Sequence, residues 1–246
     1  MMIRTLSLFA IAALSTPLAY ASGGSHWGYT GHTSPEHWGE LDSSYALCAT
    51  GKNQSPVDIA GVIEADLPAL KIAYETKASE ILNNGHTVQV NFATGGALSI
   101  GERRFELKQV HFHTPSENHI AGREYPLEAH FVHADADGAL AVIAVMFEEG
   151  AENAALAKLW KEIPTQADER HALTAAFGAA DLLPKNRDYY RFNGSLTTPP
   201  CSEGVWWQVL ESALTVSRTQ VEQFANAVGG HNDRPIQALN ARPLLK

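Results

Sequence analysis

Gln109-Val110-His111-Phe112-His113 and, further along, Glu128-Ala129-His130 are the residues in this chain best placed to do chemistry. Side chains alternate along an extended strand, so His111 and His113 share a face with Gln109, while Val110 and Phe112 point into the opposite layer. Residues 126–133 also read as a strand, and the same parity puts Glu128 beside His130. If the two strands are neighbours, three imidazoles meet at one point. Three neutral imidazoles suit a borderline-soft divalent metal, and three protein ligands with a fourth position left to water is the arrangement of catalytic zinc. Zn2+ is therefore the expected cofactor. A His-x-His pair alone arises often by chance. Weight comes from Gln109 and Glu128, acceptors that share the ligand faces and can take the outward N–H of a ligating ring.

Short strands supply the scaffold. Residues 70–74, 87–92, 97–100, 105–113 and 127–133 read as strands, separated by turn signals such as Asn83-Asn84-Gly85 and Asp137-Gly138. The unbroken apolar run from Leu140 to Phe147 reads as a strand buried on both faces. Leu156, Leu159, Trp160 and Ile163 recur at helical spacing before Pro164. Further strands are expected over 189–192, 205–210 and 213–216. A last helix starts at a Ser217/Gln220 capping box and stops at Gly229-Gly230. Residues 26–52 read as surface-wrapping coil with one short helical turn. No βαβ alternation or internal repeat is present. The fold class is thus mainly β with peripheral helices, one domain on a large twisted, mostly antiparallel but mixed sheet.

With 246 residues, 45% of them hydrophobic, the chain has enough apolar surface for one large core. Its first 21 residues read as a signal peptide, with Arg4, an apolar core over 6–14 and Ala19-Tyr20-Ala21 as cleavage site. Cleavage would leave a domain of residues 22–246 carrying 17 cationic against 27 anionic side chains. So acidic a chain, without a basic stripe, is not built for nucleic acid. No later run is long enough to span a membrane and no cysteine sits at the cleavage site to carry a lipid, so an exported protein without a membrane anchor is expected, periplasmic or secreted. The two cysteines, Cys48 and Cys201, would travel together into an oxidising compartment, where an even pair favours a disulfide.

Beyond these generic readings, seven separated motifs resemble the α-class carbonic anhydrases of the exported, bacterial type. They are His26-Trp-Gly-Tyr29, Gln54-Ser-Pro-Val-Asp-Ile59, Asn83-Asn-Gly-His86, Gln109-Val-His-Phe-His113, Glu128-Ala-His130, Gly194-Ser-Leu-Thr-Thr-Pro-Pro200 and Asn232-Asp-Arg-Pro235. The resemblance implies a sheet of roughly ten strands with zinc at the base of a conical cleft, and reversible hydration of carbon dioxide to bicarbonate and a proton. The metal would lower the pKa of its water to about 7, the value known for carbonic anhydrase itself, and the resulting hydroxide would attack the substrate.

Roles follow from the resemblance motif by motif. His111, His113 and His130 would hold zinc, with Gln109 and Glu128 behind His111 and His130 and a backbone carbonyl near Asn232 behind His113. Thr197 would orient the hydroxide and pass its own proton to Glu117. Val132, Val142, Leu196 and Trp207, with Thr198 beside them, would form the substrate pocket. His86 would shuttle protons, along waters ordered by Tyr29, Asn84 and Gln89. Two departures stand out: Asn118 where many members have His, and Gln89 where vertebrate members commonly have Asn. Competing readings are a zinc esterase, treated as a side activity, and a metal-free binding module, which would be expected to lack one of the three ligands. The partner expected is the small-molecule substrate, carbon dioxide or bicarbonate, with the protein itself a monomer or homodimer. His133 has the wrong parity for the metal and reads as a core residue, and His32, His37, His119, His171 and His231 read as surface or loop residues.

Overall fold

The computed structural model describes residues 26–246, so the signal-like segment lies outside the described residues. Thirteen strands appear in chain order: β1 (Asp58–Ile59), β2 (Lys71–Ala73), β3 (Ala78–Asn83), β4 (Val88–Phe92), β5 (Ala97–Ile100), β6 (Arg103–His113), β7 (His119–Ile120), β8 (Leu127–Ala134), β9 (Leu140–Glu149), β10 (Arg170–Ala172), β11 (Tyr189–Ser195), β12 (Glu203–Leu210) and β13 (Leu214–Val216). Eleven of them form one sheet, whose main path runs β10-β3-β4-β6-β8-β9-β12-β11; β1 and β7 pair separately. Neighbours in the large sheet are antiparallel except for β12 and β13, which run parallel to β9. The mixed, mostly antiparallel sheet expected from the pattern is present, with one strand more than the family resemblance suggests.

β9 lies near the middle, buried along nearly its whole length, as its apolar run requires. One face of the sheet packs a core of Val110, Phe112, Phe131, Ile143 and Phe147 against Leu156, Trp160 and Phe224. Those last three come from two peripheral helices, α3 (Ala154–Trp160) and α4 (Arg218–Val228), following the short α1 (Trp38–Leu41) and α2 (Leu47–Thr50). Asn153 caps α3 by accepting from the N–H groups of Ala155 and Leu156. Ser217 and Gln220 form the expected box at α4, and Gly229 ends that helix at φ 82°, a left-handed value that glycine adopts without strain.

Three expectations need correction. Residues 26–52 are more ordered than a coil, holding α1, α2 and two 3-10 turns, because Trp38 is fully buried and its indole N–H donates to the carbonyls of Gly28 and Thr33. β3 lacks a clean alternation in sequence, and β10 is a short, charged edge strand of the kind that pattern reading passes over. His119 and His171 belong to β7 and β10, so they are strand residues. Glu117, the acid that the resemblance pairs with Thr197, is buried.

His133 is a core residue, as its parity demands. Its Nδ1 faces the Ala141 carbonyl, so Nδ1 carries the proton and Nε2 accepts from the Tyr74 hydroxyl. Burial, opposed in part by carbonyl contacts, pushes its pKa down to about 4 from 6.5. The unfolded chain therefore binds one more proton than the folded one between those values. Stability from this group is complete above pH 6.5 and is lost as pH falls toward 4, by about 3 kcal/mol. Urea unfolding across that range should show His133→Gln losing about that much less stability than the parent on acidification. Parallel curves would contradict this assignment.

Candidate active site

β6 and β8 are antiparallel neighbours in a register that puts His111 opposite His130 and His113 opposite Glu128. The pairing brings the three rings together. One nitrogen from each of His111, His113 and His130 lies within 4.8 Å of the others. In each ring the remaining nitrogen is already committed: His111 Nδ1 to Gln109 Oε1 at 2.8 Å, His113 Nδ1 to the Asn232 carbonyl at 2.7 Å, and His130 Nε2 to Glu128 Oε1 at 2.9 Å. All three partners are acceptors, so these nitrogens carry the protons and the other three present lone pairs to a common centre. Burial and the neighbouring rings hold His111 well below its ordinary pKa, and burial with His130 pushes His113 down to about 3. Neutral, converging imidazoles are what a divalent metal needs. His113 Nε2 is moreover buried with no hydrogen-bond partner, a costly arrangement that a bound cation would relieve. The donor set therefore fits zinc, which His111, His113 and His130 could hold.

Glu128 is saturated with donors. Its Oε2 accepts from the N–H groups of Glu117 and Asn118, and its Oε1 from Asn118 Nδ2 as well as His130. Burial alone would raise its pKa, but the His130 ring and these donors outweigh it and keep the carboxyl low. Asn118 also accepts from the N–H of Val57, so the residue that departs from the family pattern completes the support behind His130.

Glu117 behaves differently. Burial pushes its pKa well up, Glu128 and Asp233 adding to the effect, while the Thr197 hydroxyl and the Arg234 N–H pull it back. Its Oε1 accepts from that N–H at 3.0 Å; its Oε2 has no hydrogen-bond partner and lies 3.5 Å from His113 Nε2 and 3.9 Å from His130 Nδ1. Two positive charges at the three nitrogens would favour its ionised form. Thr197 sits buried beside it, on the loop between β11 and β12. That loop is anchored by the Cys48–Cys201 disulfide, with Cα atoms 5.1 Å apart, and by Gln54 Nε2 donating to the Cys201 carbonyl.

The same sheet face divides into a polar and an apolar half. Reading across the strands in register, Glu80, Asn91 and Gln109 are followed by Val132, Val142, Trp207 and Phe192. Val142 and Trp207 belong to one buried cluster against which Val132 and Leu196 pack, and the Trp207 ring lies edge-on to His130 at 4.9 Å. On the polar side a cavity of about 130 Å³ is lined by His86, Gln89, Gln109, His111, His113 and Thr198, with Tyr29 and Asn84 at its walls. A larger groove of about 530 Å³ runs between Glu64 and Lys246, but it holds neither His nor Cys and is remote from this chemistry.

His86 rides on the hairpin between β3 and β4. Asn84 Oδ1 accepts from the N–H groups of His86 and Thr87, and the Asn232 side chain donates both to the His86 carbonyl and to that of Phe112, joining hairpin and ligand strand. The His86 ring stacks on Trp27, with centroids 3.7 Å apart and planes 7° from parallel. Burial and the nearby His26 lower its pKa, and Asp168 partly offsets them. Tyr29 is half-buried, and the desolvation of its hydroxyl raises its pKa well above 10 and keeps it neutral, Glu117 and Asp233 adding to the rise.

Sequence reasoning gave no task to Trp27, Asn118, the Asn232 side chain or Arg234. All but Asn118 stand inside motifs that had been singled out, and Asn118 had been noted only as a departure. Arg234 shows what that omitted: its guanidinium donates to Gln54 Oε1 and to the carbonyls of Ser55 and Cys48, while its own N–H holds Glu117.

A mixed sheet with three imidazoles converging from two adjacent strands, each backed by an acceptor, defines a catalytic metal centre of the carbonic anhydrase kind. The chain matches the eukaryotic-type carbonic anhydrase family over residues 33–246. It is 49% identical over 227 residues to a carbonic anhydrase of Pectobacterium atrosepticum, covering 92% of this chain and 93% of that one. A carbonic anhydrase of Neisseria gonorrhoeae is 47% identical over 244 residues, covering 99% and 96%. Among solved structures, the α-carbonic anhydrase of Thermovibrio ammonificans, in complex with sulfanilamide, superimposes with a TM-score of 0.89 at 48% identity, covering 91% of this chain and all of that one. The chain belongs to the eukaryotic-type, or α, carbonic anhydrase family. It is a zinc-dependent lyase that hydrates carbon dioxide reversibly to bicarbonate and a proton.

Proposed function

We propose that His111, His113 and His130 hold the zinc and that the surrounding side chains divide the remaining work of hydration between them. The observation that carries this is the convergence of three ring nitrogens within 4.8 Å while the opposite nitrogen of each ring is hydrogen-bonded to an acceptor. Zinc there supplies a nucleophile at neutral pH by lowering the pKa of water to about 7, as established for carbonic anhydrase.

The chain's own groups position and deprotonate. Carbon dioxide has no charge and no strong hydrogen-bonding group, so Val132, Val142, Leu196 and Trp207 receive it on the apolar half of the face. Thr198 bounds the pocket from the wall of the polar cavity, and the Thr197 N–H polarises a substrate oxygen. The Thr197 hydroxyl has one proton to give; directing it to Glu117 leaves its oxygen free to accept, which fixes the orientation of the attacking group.

Proton release is His86's task. Direct loss from a group of pKa near 7 to bulk water is limited to roughly 10³ per second, so faster turnover needs a relay that titrates near neutrality. Tyr29, Asn84 and Gln89 order waters between His86 and the centre. Since burial lowers the His86 pKa, its neutral, proton-accepting form persists to more acidic pH than a free imidazole's. His86→Ala should slow turnover in dilute buffer by about tenfold, leave kcat/KM intact and be rescued by added imidazole. An unchanged rate in dilute buffer would remove the shuttle.

Ester hydrolysis is a side activity open to the same nucleophile. Export follows from the segment over residues 1–21, with cleavage before Ser22 and a mature domain of 22–246, periplasmic or secreted as monomer or homodimer. The Cys48–Cys201 disulfide supports passage through an oxidising compartment, and no helix among the described residues is long and apolar enough to cross a membrane.

A further inference from the structure

On the polar half of the site a chain of side chains leads across the sheet face from β3 to the cavity. Asn91 Nδ2 donates to Glu80 Oε2 at 2.8 Å, and Gln89 Nε2 donates to Asn91 Oδ1 at 2.7 Å. The three residues follow from strand register: Glu80 on β3 faces Asn91 on β4, and Gln89 stands two residues along β4, opposite His111. Gln89 lines the same cavity as His86, His111 and Gln109.

Amide side chains are reversible: either end can donate or accept according to how they are turned. A carboxylate is not, since it only accepts. We infer that Glu80, acting through Asn91, sets the direction of the Gln89 amide, so that the end left to the cavity is the carbonyl oxygen. Glu80 obliges Asn91 to present its NH2, which leaves Asn91 Oδ1 to accept, which claims the NH2 of Gln89. The neighbouring amide is fixed the opposite way: Gln109 Oε1 is taken by His111 Nδ1–H, so only Gln109's NH2 remains to be offered. Two adjacent glutamines thus give the cavity wall one acceptor and one donor, the first set from the far side of the strand pair and the second by the metal-facing ring. A chain of ordered waters has a direction, and fixed donors and acceptors along it favour one orientation of the O–H bonds. Glu80 and Asn91 are therefore positioning residues for proton release, an inference that rests on Gln89 lying on the proton path.

Stopped-flow carbon dioxide hydration by the zinc-loaded protein, in dilute and in concentrated buffer, tests it with three variants. Gln89→Leu removes the amide and should lower kcat in dilute buffer by about threefold, the order of one misplaced hydrogen bond. Glu80→Lys donates where Glu80 accepted, turns both amides over and should lower kcat comparably, with kcat/KM within about twofold of the parent. Glu80→Gln can turn either end of its amide to Asn91, so it no longer forces the pair one way and should give a kcat between those of the parent and Glu80→Lys. Should Glu80→Lys fail to fold, Glu80→Leu removes the anchor without reversing charge and is expected to slow kcat in the same way. A Glu80→Lys change that slows the Gln89→Leu protein further would mean that charge and not amide direction matters, and Glu80→Gln at the parent rate would mean that an acceptor-only anchor is not needed; either would overturn the inference. A slow Gln89→Leu beside a Glu80→Lys at parent rate would overturn it while leaving Gln89 on the path; a Gln89→Leu at parent rate would remove both.

Discussion

His113→Ala will strip the protein of zinc and of turnover together. His113, one of the three proposed ligands, has Nδ1 on the Asn232 carbonyl and Nε2 buried without a partner. If three ring nitrogens share a binding free energy on the order of 10 kcal/mol, losing one costs about 3 kcal/mol, roughly a hundredfold in affinity at the least. With free zinc scarce, occupancy falls to a small fraction and hydration falls with it. His133→Gln is the matched control, a buried histidine of opposite parity on the strand that carries His130, and it should keep both metal and activity. Elemental analysis finding full zinc in His113→Ala would refute the ligand assignment.

The second large effect separates orientation from metal binding. Thr197→Ala should retain zinc and lose about 10²-fold in kcat/KM, the scale expected when a reacting group is no longer held in line. Thr197→Ser, which keeps the hydroxyl, should recover most of it. Glu117→Gln should resemble Thr197→Ala, because an amide can donate as well as accept and no longer forces the threonine proton one way. Its buried position beside Arg234 makes structural integrity the thing to check, by unfolding at neutral pH. Thr197→Ala with parent kcat/KM would contradict the positioning role.

How much of this was legible in the chain differs by kind of interaction. Strand alternation has a period of two and needs no tertiary knowledge, so Gln109 with His111 and Glu128 with His130 could be placed on common faces from residue order alone, and the hydrogen bonds between them are present. The double-sided burial of β9 and the caps of α4 were equally local signals. Register between strands is not local. That His111 lies opposite His130 depends on an irregularity between Leu107 and Gln109 that nothing in the composition of β6 announces. Contacts between distant parts of the chain were invisible for the same reason: Arg234 reaching Gln54 and Cys48, Asn232 tying His86 to β6, and Trp27 stacked on His86. In each, a polar or aromatic side chain settles a partner whose identity only the folded chain decides.

X-ray absorption at the zinc edge of the loaded protein addresses the centre most directly. Three imidazole nitrogens at about 2.0–2.1 Å and a fourth light-atom scatterer from solvent are expected. A sulfur scatterer near 2.3 Å, or a shell with fewer than three imidazoles, would contradict the ligand assignment.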